Sequence, residues 1–441
     1  MANEILVAHS SRRDFEGDGD PDNVYIPGRT LVLGINRPDV QIILPSMPGI
    51  LAYENDLEKI VNNLNLNAPR TIYVPDEDYL LDVSVLVNIG LLQQVLVQGN
   101  KYSVEPYSNT PELQNWINVL REHGYDLNIA LPEQVFFKDL KHPQHRAGWS
   151  RNVEKPDEQS FAERYGILYP CSYWGTGLMQ LKEAYERVVD ETNDPRVVLK
   201  PVFSAGGSTI RKVNSLEEAV VYYDGMVASG ALFVQSEDGL RENPIEVQQY
   251  LKIKENYSFQ YRGDRIATPG GITKQYTHGT AWKGNLFNSF DDKLVLDAAD
   301  KFRSYRYGMT REYPKLVNDR GGADLAEVEG CDELALIEWN GSRFTGADPA
   351  NDLSKIFGVT KKAFLMRMVE AKPNCGLGEV WEILQKNNSA FSMQTKSGVF
   401  PITWFEGCTS LFVAGENASV IERVYDTTID ILDKEQALIL N

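Results

Sequence analysis

A lysine at the end of a β-branched run, followed by a loop of small residues, is the feature that most restricts how this chain can fold. Residues 197–210 are Val-Val-Leu-Lys-Pro-Val-Phe-Ser-Ala-Gly-Gly-Ser-Thr-Ile. Glycine and serine let successive backbone N–H groups close on an anion, and Lys200 adds a positive charge beside them. The segment predicts a strand, a phosphate-binding loop and a second strand, although an ordinary strand–turn–strand unit has the same pattern. It is not a P-loop, because no Gly-x-x-x-x-Gly-Lys-Ser/Thr opens a helix here.

A second segment supplies oxygen ligands for a metal ion. Residues 334–343 are Leu-Ala-Leu-Ile-Glu-Trp-Asn-Gly-Ser-Arg, an apolar run that predicts a strand. Glu338 and Asn340 are two positions apart and therefore share one face of that strand. An acid among core-like residues is costly to bury unless it is paired or metal-bound, and oxygen ligands suit Mg²⁺ held against nucleotide phosphates. The two segments together predict an enzyme that uses ATP.

Composition limits the possible partners. The chain has 441 residues, 42% of them hydrophobic, and a net charge of −18 from 44 basic and 62 acidic residues. This is the composition of a globular protein with two to four structural units, and its charge argues against nucleic acid or an anionic membrane as the main partner. There is no membrane-length apolar run, no signal-type N-terminus and no metal-type or disulfide-type cysteine spacing. We therefore expect a cytoplasmic protein.

Short apolar runs alternate with helical patterns at the beginning of the chain, which predicts a parallel α/β layer in residues 1–150. The predicted strands there are 4–8, 30–33, 40–44, 71–74, 93–97 and 127–131, and the predicted helices are 54–65 and 111–123. The polar stretch 141–157 resembles a domain boundary. Further on we predict a loop at 269–285, a helix near 359–370, strands near 398–404 and 409–414, and a final helix at 417–433.

The order and spacing of five elements in residues 151–355 resemble the ATP-grasp superfamily. These elements are two lysines, a glycine-rich lid, an adenine-binding hinge, a ribose-binding acid, and an acid followed on the next strand by Glu-x-Asn. The matching residues are Lys155, Lys200, the loop 203–210, the hinge 247–251, Glu255, Asp324, Glu338 and Asn340. The fold class that this implies is α/β and α+β: a pre-ATP-grasp α/β domain (1–150), a lid subdomain (151–245), a nucleotide- and metal-binding subdomain (246–355) and a small C-terminal α+β domain (356–441).

The resemblance implies that the cofactors are ATP and Mg²⁺. The two lysines would neutralise phosphate oxygens, and Asp324, Glu338 and Asn340 would hold Mg²⁺. The lid residues that would cover the phosphates are Ser204, Ala205, Gly206, Gly207 and Ser208. The residues expected at the adenine and ribose are Gln248, Gln249, Tyr250, Leu251 and Glu255. Gln248 stands where many family members have an acid, so adenine would meet an amide there.

The resemblance also implies the reaction class. ATP-grasp ligases phosphorylate a carboxylate, and an amine then attacks the acyl phosphate, which yields an amide, ADP and phosphate. A cation must bind the carboxylate, and Arg343 is the first candidate, with Arg320 and Lys274 as the alternatives. Arg343 follows Asn340 after two residues, where many members have one. His278 would assist deprotonation of the amine, although each of these loop residues is also compatible with simple exposure to solvent.

Over nearly its full length the layout is similar to peptide ligases of the pheganomycin-biosynthesis type. This resemblance implies a small, amino-acid-like carboxylate as donor and the N-terminal amine of a peptide as acceptor, in natural-product (antibiotic) biosynthesis. A homo-oligomer is compatible with the sequence. A ligase that joins two free amino acids, a kinase built on the same fold and a non-catalytic nucleotide-binding module are the alternatives.

Overall fold

Three large β-sheets with helices packed on them make up the described part of the chain. The computed structural model describes residues 3–7, 31–45, 48–74, 96–106, 111–129, 146–202, 209–236, 239–262, 265–266, 272–278, 281–288, 293–318, 320–340, 347–372, 375–403 and 409–438. No helix within these ranges is both long enough and apolar enough to cross a lipid bilayer.

The first sheet has five parallel strands in the order β3-β2-β1-β4-β5. Its strands are β1 (Asn3–Val7), β2 (Val40–Pro45), β3 (Thr71–Val74), β4 (Lys101–Pro106) and β5 (Asp126–Ile129). Helix α1 (Pro48–Asn63) connects β2 to β3, and α2 (Pro111–Glu122) connects β4 to β5, as parallel pairing requires. The predicted parallel layer is confirmed. The predicted strand at 30–33 is wrong where it is described, because residues 31–33 are helical; a short, fully buried apolar run does not distinguish the two structures.

The second sheet has five strands in the order β6-β7-β12-β8-β9. They are β6 (Arg151–Asn152), β7 (Ser172–Gly175), β8 (Val197–Pro201), β9 (Arg211–Val213) and β12 (Ile245–Gln249). Its helices are α3 (Arg146–Trp149), α4 (Phe161–Tyr165), α5 (Gly177–Thr192) and α6 (Leu216–Ala228), and a ribbon of β10 (Phe233–Ser236) and β11 (Gly239–Glu242) precedes β12. One face of this sheet packs on α5, where Tyr173, Leu199 and Val247 join Leu181 in an apolar core.

The third sheet has nine strands, in the order β18-β17-β13-β15-β16-β19-β21-β20 with β14 beside β13. They are β13 (Ile253–Arg262), β14 (Arg265–Ile266), β15 (Ile272–His278), β16 (Ala281–Phe287), β17 (Arg320–Val328), β18 (Leu334–Asn340), β19 (Ala363–Val369), β20 (Gly398–Thr403) and β21 (Thr409–Gly415). Its helices are α7 (Lys293–Glu312), a 3₁₀ turn (Pro314–Asn318), α8 (Asp348–Ile356), α9 (Leu377–Lys386) and α10 (Ala418–Lys434).

Two predicted segments of this sheet are corrected by the structure. The helix predicted near 359–370 is wrong, because Ala363–Val369 is a strand between β16 and β21. Its leucine and methionines favour a helix, but Phe364 and its neighbours are fully buried in the sheet, and packing of this kind outweighs local propensity. The described parts of the loop predicted at 269–285 belong to the antiparallel strands β15 and β16.

The third sheet continues across position 356, and the beginning and end of the chain share one apolar core. Ile42 and Val61 belong to the same buried cluster as Trp381 and Phe412. The backbone N–H of Gly378 also donates to Asp56 Oδ2 at 3.0 Å. The C-terminal segment is therefore packed against the first sheet's α1, while the domain boundaries remain a prediction.

Candidate functional site

Around β17 and β18, the third sheet has one apolar face and one polar face. Ala323 and Leu325 of β17 are buried in an apolar core with Phe302 of α7. Because side chains alternate along a strand, Asp324 lies on the opposite face. Asp324 is the register partner of Glu338, so the two carboxylates lie on the same face of the sheet.

A direct hydrogen bond joins two of the predicted metal ligands, Asp324 and Asn340. Asn340 Nδ2 donates to Asp324 Oδ2 at 3.1 Å, and Gln275 Nε2 donates to Asp324 Oδ1 at 2.7 Å. The amide nitrogen of Asn340 is thus directed at the carboxylate, so its oxygen is the atom suited to bind a cation. Gln275 was missed by sequence reasoning, because it lay in a segment that was predicted to be a loop.

Lys200 connects the second sheet to this polar face. It is almost completely buried, and its Nζ donates to the backbone oxygen of Ile337 at 3.0 Å. A second bond, from the N–H of Leu336 to the oxygen of Leu168 at 2.8 Å, joins the same two regions. Since Ile337 precedes Glu338, the structure brings the predicted phosphate-binding lysine beside the predicted metal ligands.

The face of the second sheet that carries Lys200 also carries buried polar atoms with no hydrogen-bond partner among the described residues. Glu246 is the register partner of Lys200, and Gln248 lies two residues further along β12 on the same face. Oε1 of the fully buried Glu246 accepts hydrogen bonds from the hydroxyls of Ser150 and Tyr169. Its Oε2, and Nε2 of the buried Gln248, have no hydrogen-bond partner within the described ranges. A buried polar atom left unpaired costs about 1–3 kcal/mol, so this arrangement indicates a ligand that completes it.

Glu246 was also missed by sequence reasoning. The only signal was an acid between two apolar residues in Ile245-Glu246-Val247, because a carboxylate is rarely buried without a role. The pattern resembles the one around Glu338, which sequence reasoning did recognise.

A small apolar patch continues the polar face of the third sheet. Ala326, two residues beyond Asp324 on β17, packs with Ala335 and Val328, and the partly exposed Leu251 and Ile337 contact this cluster. The patch therefore adjoins both carboxylates and includes the predicted hinge residue Leu251. A flat apolar surface beside a few polar groups suits a planar ring such as a nucleotide base.

The other hinge residues are held by local contacts. The backbone N–H of Gln249 donates to Cys171 O at 2.8 Å, and that of Tyr250 donates to Arg196 O at 3.3 Å. The Tyr250 ring lies 4.9 Å from the Arg196 guanidinium carbon and 5.2 Å from Lys212 Nζ. Two N–H groups of the predicted adenine-binding backbone are thus already engaged.

Cys171, beside the hinge, is not suited to nucleophilic catalysis. Burial, together with the nearby Glu191 carboxylate, raises the pKa of its thiol to about 12. Only the thiolate is a good nucleophile, and very little of it forms at neutral pH when the pKa is so high.

Glu255 and Lys274 lie on the opposite face of the third sheet from Asp324. They form an ion pair with Nζ 2.8 Å from Oε2, and Lys274 is the register partner of Tyr257, which belongs to the apolar core. The structure therefore brings Gln275 beside Asp324, and not the preceding Lys274. Asn256 lies on the same face as Asp324, and its Nδ2 donates to Thr277 Oγ1 at 3.2 Å.

The remaining predicted residues are dispersed. Arg320 Nε and Nη2 donate to Asp348 Oδ1 at 3.2 and 2.7 Å, in a nearly buried ion pair on the face of Asp324. Lys155 is 60% exposed, with its Nζ 3.7 Å from Glu158, and His278 is exposed at the end of β15.

Six predicted site residues lie outside the described residues. They are the lid residues Ser204, Ala205, Gly206, Gly207 and Ser208, and the candidate carboxylate-binding Arg343.

The architecture is similar to that of solved ATP-grasp enzymes. The biotin carboxylase domain of 2-oxoglutarate carboxylase from Hydrogenobacter thermophilus, in complex with MgADP, ADP and bicarbonate, is 14% identical with a TM-score of 0.57, covering 98% of this chain and 90% of that chain. N5-carboxyaminoimidazole synthase from Aspergillus clavatus, in complex with ADP and its aminoimidazole ribonucleotide, is 10% identical with a TM-score of 0.52, covering 98% and 99%. The N5-carboxyaminoimidazole ribonucleotide synthetase from Thermus thermophilus is 13% identical with a TM-score of 0.52, covering 99% of each chain.

These similarities concern the fold. No protein-family model and no curated protein sequence matches this chain. The chain has the ATP-grasp fold over almost its whole length, and the predicted fold class is confirmed.

Proposed function

We propose that this protein is an ATP-dependent carboxylate–amine ligase that releases ADP and phosphate. The proposal rests mainly on the hydrogen bond from Lys200 Nζ to Ile337 O, which joins a polar face of the second sheet to the polar face of the third sheet. One face carries the Asp324 and Glu338 carboxylates, and the other carries Gln248 Nε2, which is buried and has no partner among the residues that the structure describes. Similar folds solved with ADP or MgADP support a nucleotide in this cleft.

The residues of the cleft fit ATP and Mg²⁺. The apolar patch around Leu251 and Ile337 would contact the base, and Lys200 would bind phosphate oxygens. Asp324, Glu338 and Asn340 would hold Mg²⁺, which neutralises charge on the phosphates. Within the described ranges no group of three or more His, Cys, Asp and Glu side chains forms a metal site. Two carboxylates and an amide are a suitable set for an ion that also takes phosphate and water oxygens.

The proposed reaction has two steps. A carboxylate oxygen of the donor attacks the γ-phosphorus, and the bond from the γ-phosphorus to the bridging oxygen breaks to release ADP. The amine then attacks the acyl carbon, loses a proton, and expels phosphate to form the amide. Lys200 would stabilise the charge on the phosphates during transfer, and the opposed sheet faces would keep water away from the acyl phosphate.

We infer that the acceptor is the N-terminal amine of a peptide and that the product is a peptide natural product. Similarity of the layout to pheganomycin-type peptide ligases supports this part of the proposal. The same proposal includes roles for Lys155, the lid residues and Arg343. It also includes a cytoplasmic location and assembly into homo-oligomers.

The reaction is tested by trapping its intermediate. The protein is incubated with ATP, Mg²⁺, a panel of amino acids and other carboxylates, and hydroxylamine. We expect ADP and a hydroxamate of one donor acid, and a loss of at least about 100-fold in ADP release for Lys200→Ala. Lys386→Gln, which removes an exposed lysine on α9, is the matched control and should keep full activity.

The alternatives give different products. AMP and pyrophosphate would contradict the acyl-phosphate mechanism. A phosphorylated product without an amide would show the kinase, and an amide between two free amino acids would show a dipeptide ligase. Nucleotide binding without turnover across the panel would favour the non-catalytic module.

A further inference from the structure

A cavity of about 250 Å³ lies where the C-terminal segment packs on α1 of the first layer. We call it the α1–α9 cavity. Its described walls are residues 63–65 at the end of α1, Trp381 and Gln385 of α9, and residues 390–393. None of the residues predicted to bind nucleotide, metal or substrate is in this described lining. The cavity is therefore a candidate for a second site.

The described lining has an apolar floor and a polar rim. Leu64, Trp381 and Phe391 are buried, and the partly buried Met393 packs against the same apolar core. Sites for small molecules usually combine apolar and aromatic walls with a few polar groups. The polar groups here are the exposed side-chain amides of Asn63, Asn65 and Gln385.

The Trp381 indole indicates what a ligand must provide. Its Nε1 is buried and has no hydrogen-bond partner among the described residues. An indole N–H can only donate, and a buried one normally has an acceptor. Leaving it unsatisfied costs about 1–3 kcal/mol. Because Trp381 lines the cavity, a ligand that carries an acceptor would remove this cost.

Packing and backbone hydrogen bonds fix the walls of the cavity in advance. The Trp381 ring lies edge-to-face on Phe400, with 6.1 Å between ring centroids. Phe391 stacks on Phe357 at 4.2 Å, and its backbone N–H donates to Val399 O at 2.8 Å. A site that is already ordered loses less conformational entropy when a ligand binds.

The volume of the cavity gives the size of the ligand. A cavity of roughly 150 Å³ holds one benzene molecule, whereas a water molecule occupies only about 30 Å³. A single water could satisfy the Trp381 N–H but would leave most of the cavity, of about 250 Å³, unfilled. Two fused rings suit this volume, and a flat ring system packs well against an aromatic floor.

We propose that the α1–α9 cavity binds a small two-ring heteroaromatic molecule, whose ring nitrogen or carbonyl oxygen accepts a hydrogen bond from the Trp381 indole. The exposed amides of the rim contact the polar edges of the same molecule. Since its walls belong to α1, α9 and the segment after α9, the bound molecule stabilises their packing. The site is additional to the nucleotide cleft, and the inference does not depend on the proposed function.

The test observes the indole N–H directly. The full-length protein is labelled with isotopically enriched tryptophan, and the Trp381 N–H signal is identified by its absence from the NMR spectrum of Trp381→Phe. Quinoline, isoquinoline, indazole and purine are titrated, with naphthalene as the ring system of the same shape that lacks an acceptor. We expect at least one heteroaromatic to move the Trp381 signal downfield in a saturable manner. Naphthalene should bind at least about tenfold more weakly, because it leaves the N–H unsatisfied.

Two variants locate the binding. Met393→Arg places a long side chain across the cavity from a partly exposed turn, and should weaken binding at least about tenfold. Met179→Arg is the matched control, because Met179 is 78% exposed on α5, and its Trp381 signal should respond as in the wild type. Gln385→Ala removes one amide of the rim at an exposed position of α9, and should weaken binding about threefold.

Three outcomes would overturn this inference. They are no saturable change in the Trp381 signal with any heteroaromatic, equal affinities for quinoline and naphthalene when quinoline is the ligand that binds best, and a wild-type response of both Met393→Arg and Gln385→Ala. A saturable shift in the wild type and in Met179→Arg that is weakened in the other two variants would support it. A rise in melting temperature with the same ligand, absent in Met393→Arg, would show that the bound molecule stabilises the packing of α1 and α9.

Discussion

Buried polar groups on the two sheet faces that meet at Lys200 differ in whether they have hydrogen-bond partners. On the third sheet, Trp282 Nε1 donates to Asn285 Oδ1 at 2.8 Å, and Asn285 Nδ2 donates to Thr273 Oγ1 at 2.7 Å. On the second sheet, Glu246 Oε2 and Gln248 Nε2 are buried without partners within the described ranges. The chain of hydrogen bonds from Trp282 to Thr273 is completed by the protein itself, whereas Glu246 Oε2 and Gln248 Nε2 are arranged to be completed by a ligand.

This difference predicts that some buried polar groups contribute to the stability of the protein and others to ligand binding. A buried hydrogen-bond chain contributes to the free energy of unfolding, since removing one member leaves another unsatisfied. An unpartnered buried group is unfavourable until a ligand binds. Substitutions on the third sheet should therefore affect folding or chemistry, and substitutions at the unpartnered atoms should affect affinity.

The largest effect is expected for Glu338→Gln on the third sheet. It removes one of two carboxylates available to Mg²⁺, so ADP release should fall at least about 100-fold, and extra Mg²⁺ should not restore it. Circular dichroism should show an intact fold. Glu327→Gln is the matched control, because Glu327 lies on the opposite face of the same sheet and is paired with Lys254. ADP release by this variant should change less than about threefold. An active Glu338→Gln enzyme would show that this acid is only structural.

Thr273→Val should have an intermediate effect, on stability. The Asn285 amide would lose its buried acceptor, and the free energy of unfolding in urea should fall by about 1–3 kcal/mol. Thr277→Val, the same change at an exposed acceptor of Asn256, should cost less than about 0.5 kcal/mol. Equal losses in the two variants would show that burial of the Thr273 hydroxyl adds nothing to its contribution to stability.

Gln248→Met on the second sheet should have little effect on stability and a larger effect on affinity. Because Gln248 Nε2 has no partner among the described residues, the free energy of unfolding without nucleotide should change by less than about 1 kcal/mol. Affinity for ATP, measured by titration calorimetry, should fall about tenfold if the amide completes its bonding with the base. A marked loss of stability with unchanged affinity for ATP would show that Gln248 contributes to folding and not to nucleotide binding.

Lys274 and Gln275 show where prediction from the sequence ends. They are adjacent, and the pairing of β15 with β13 alone decides that Gln275 meets Asp324 while Lys274 meets Glu255. A one-residue shift in register would exchange them. Because lysine commonly binds carboxylates, Lys274 was predicted as an alternative to Arg343, and it lies on the other face from Asp324.

The sequence by itself determined the local pieces: the parallel first layer, the lysine at the end of β8, and Glu338 and Asn340 on one face of β18. These depend on spacing within one segment, where side-chain alternation is the same in every strand. Only the tertiary structure decided that residues 363–369 form a strand, that Gln248 Nε2 is buried without a partner in the described part of the chain, and that Leu64 and Trp381 line one cavity. These features depend on which segments pack together, because burial and pairing are properties of residues that are distant in sequence.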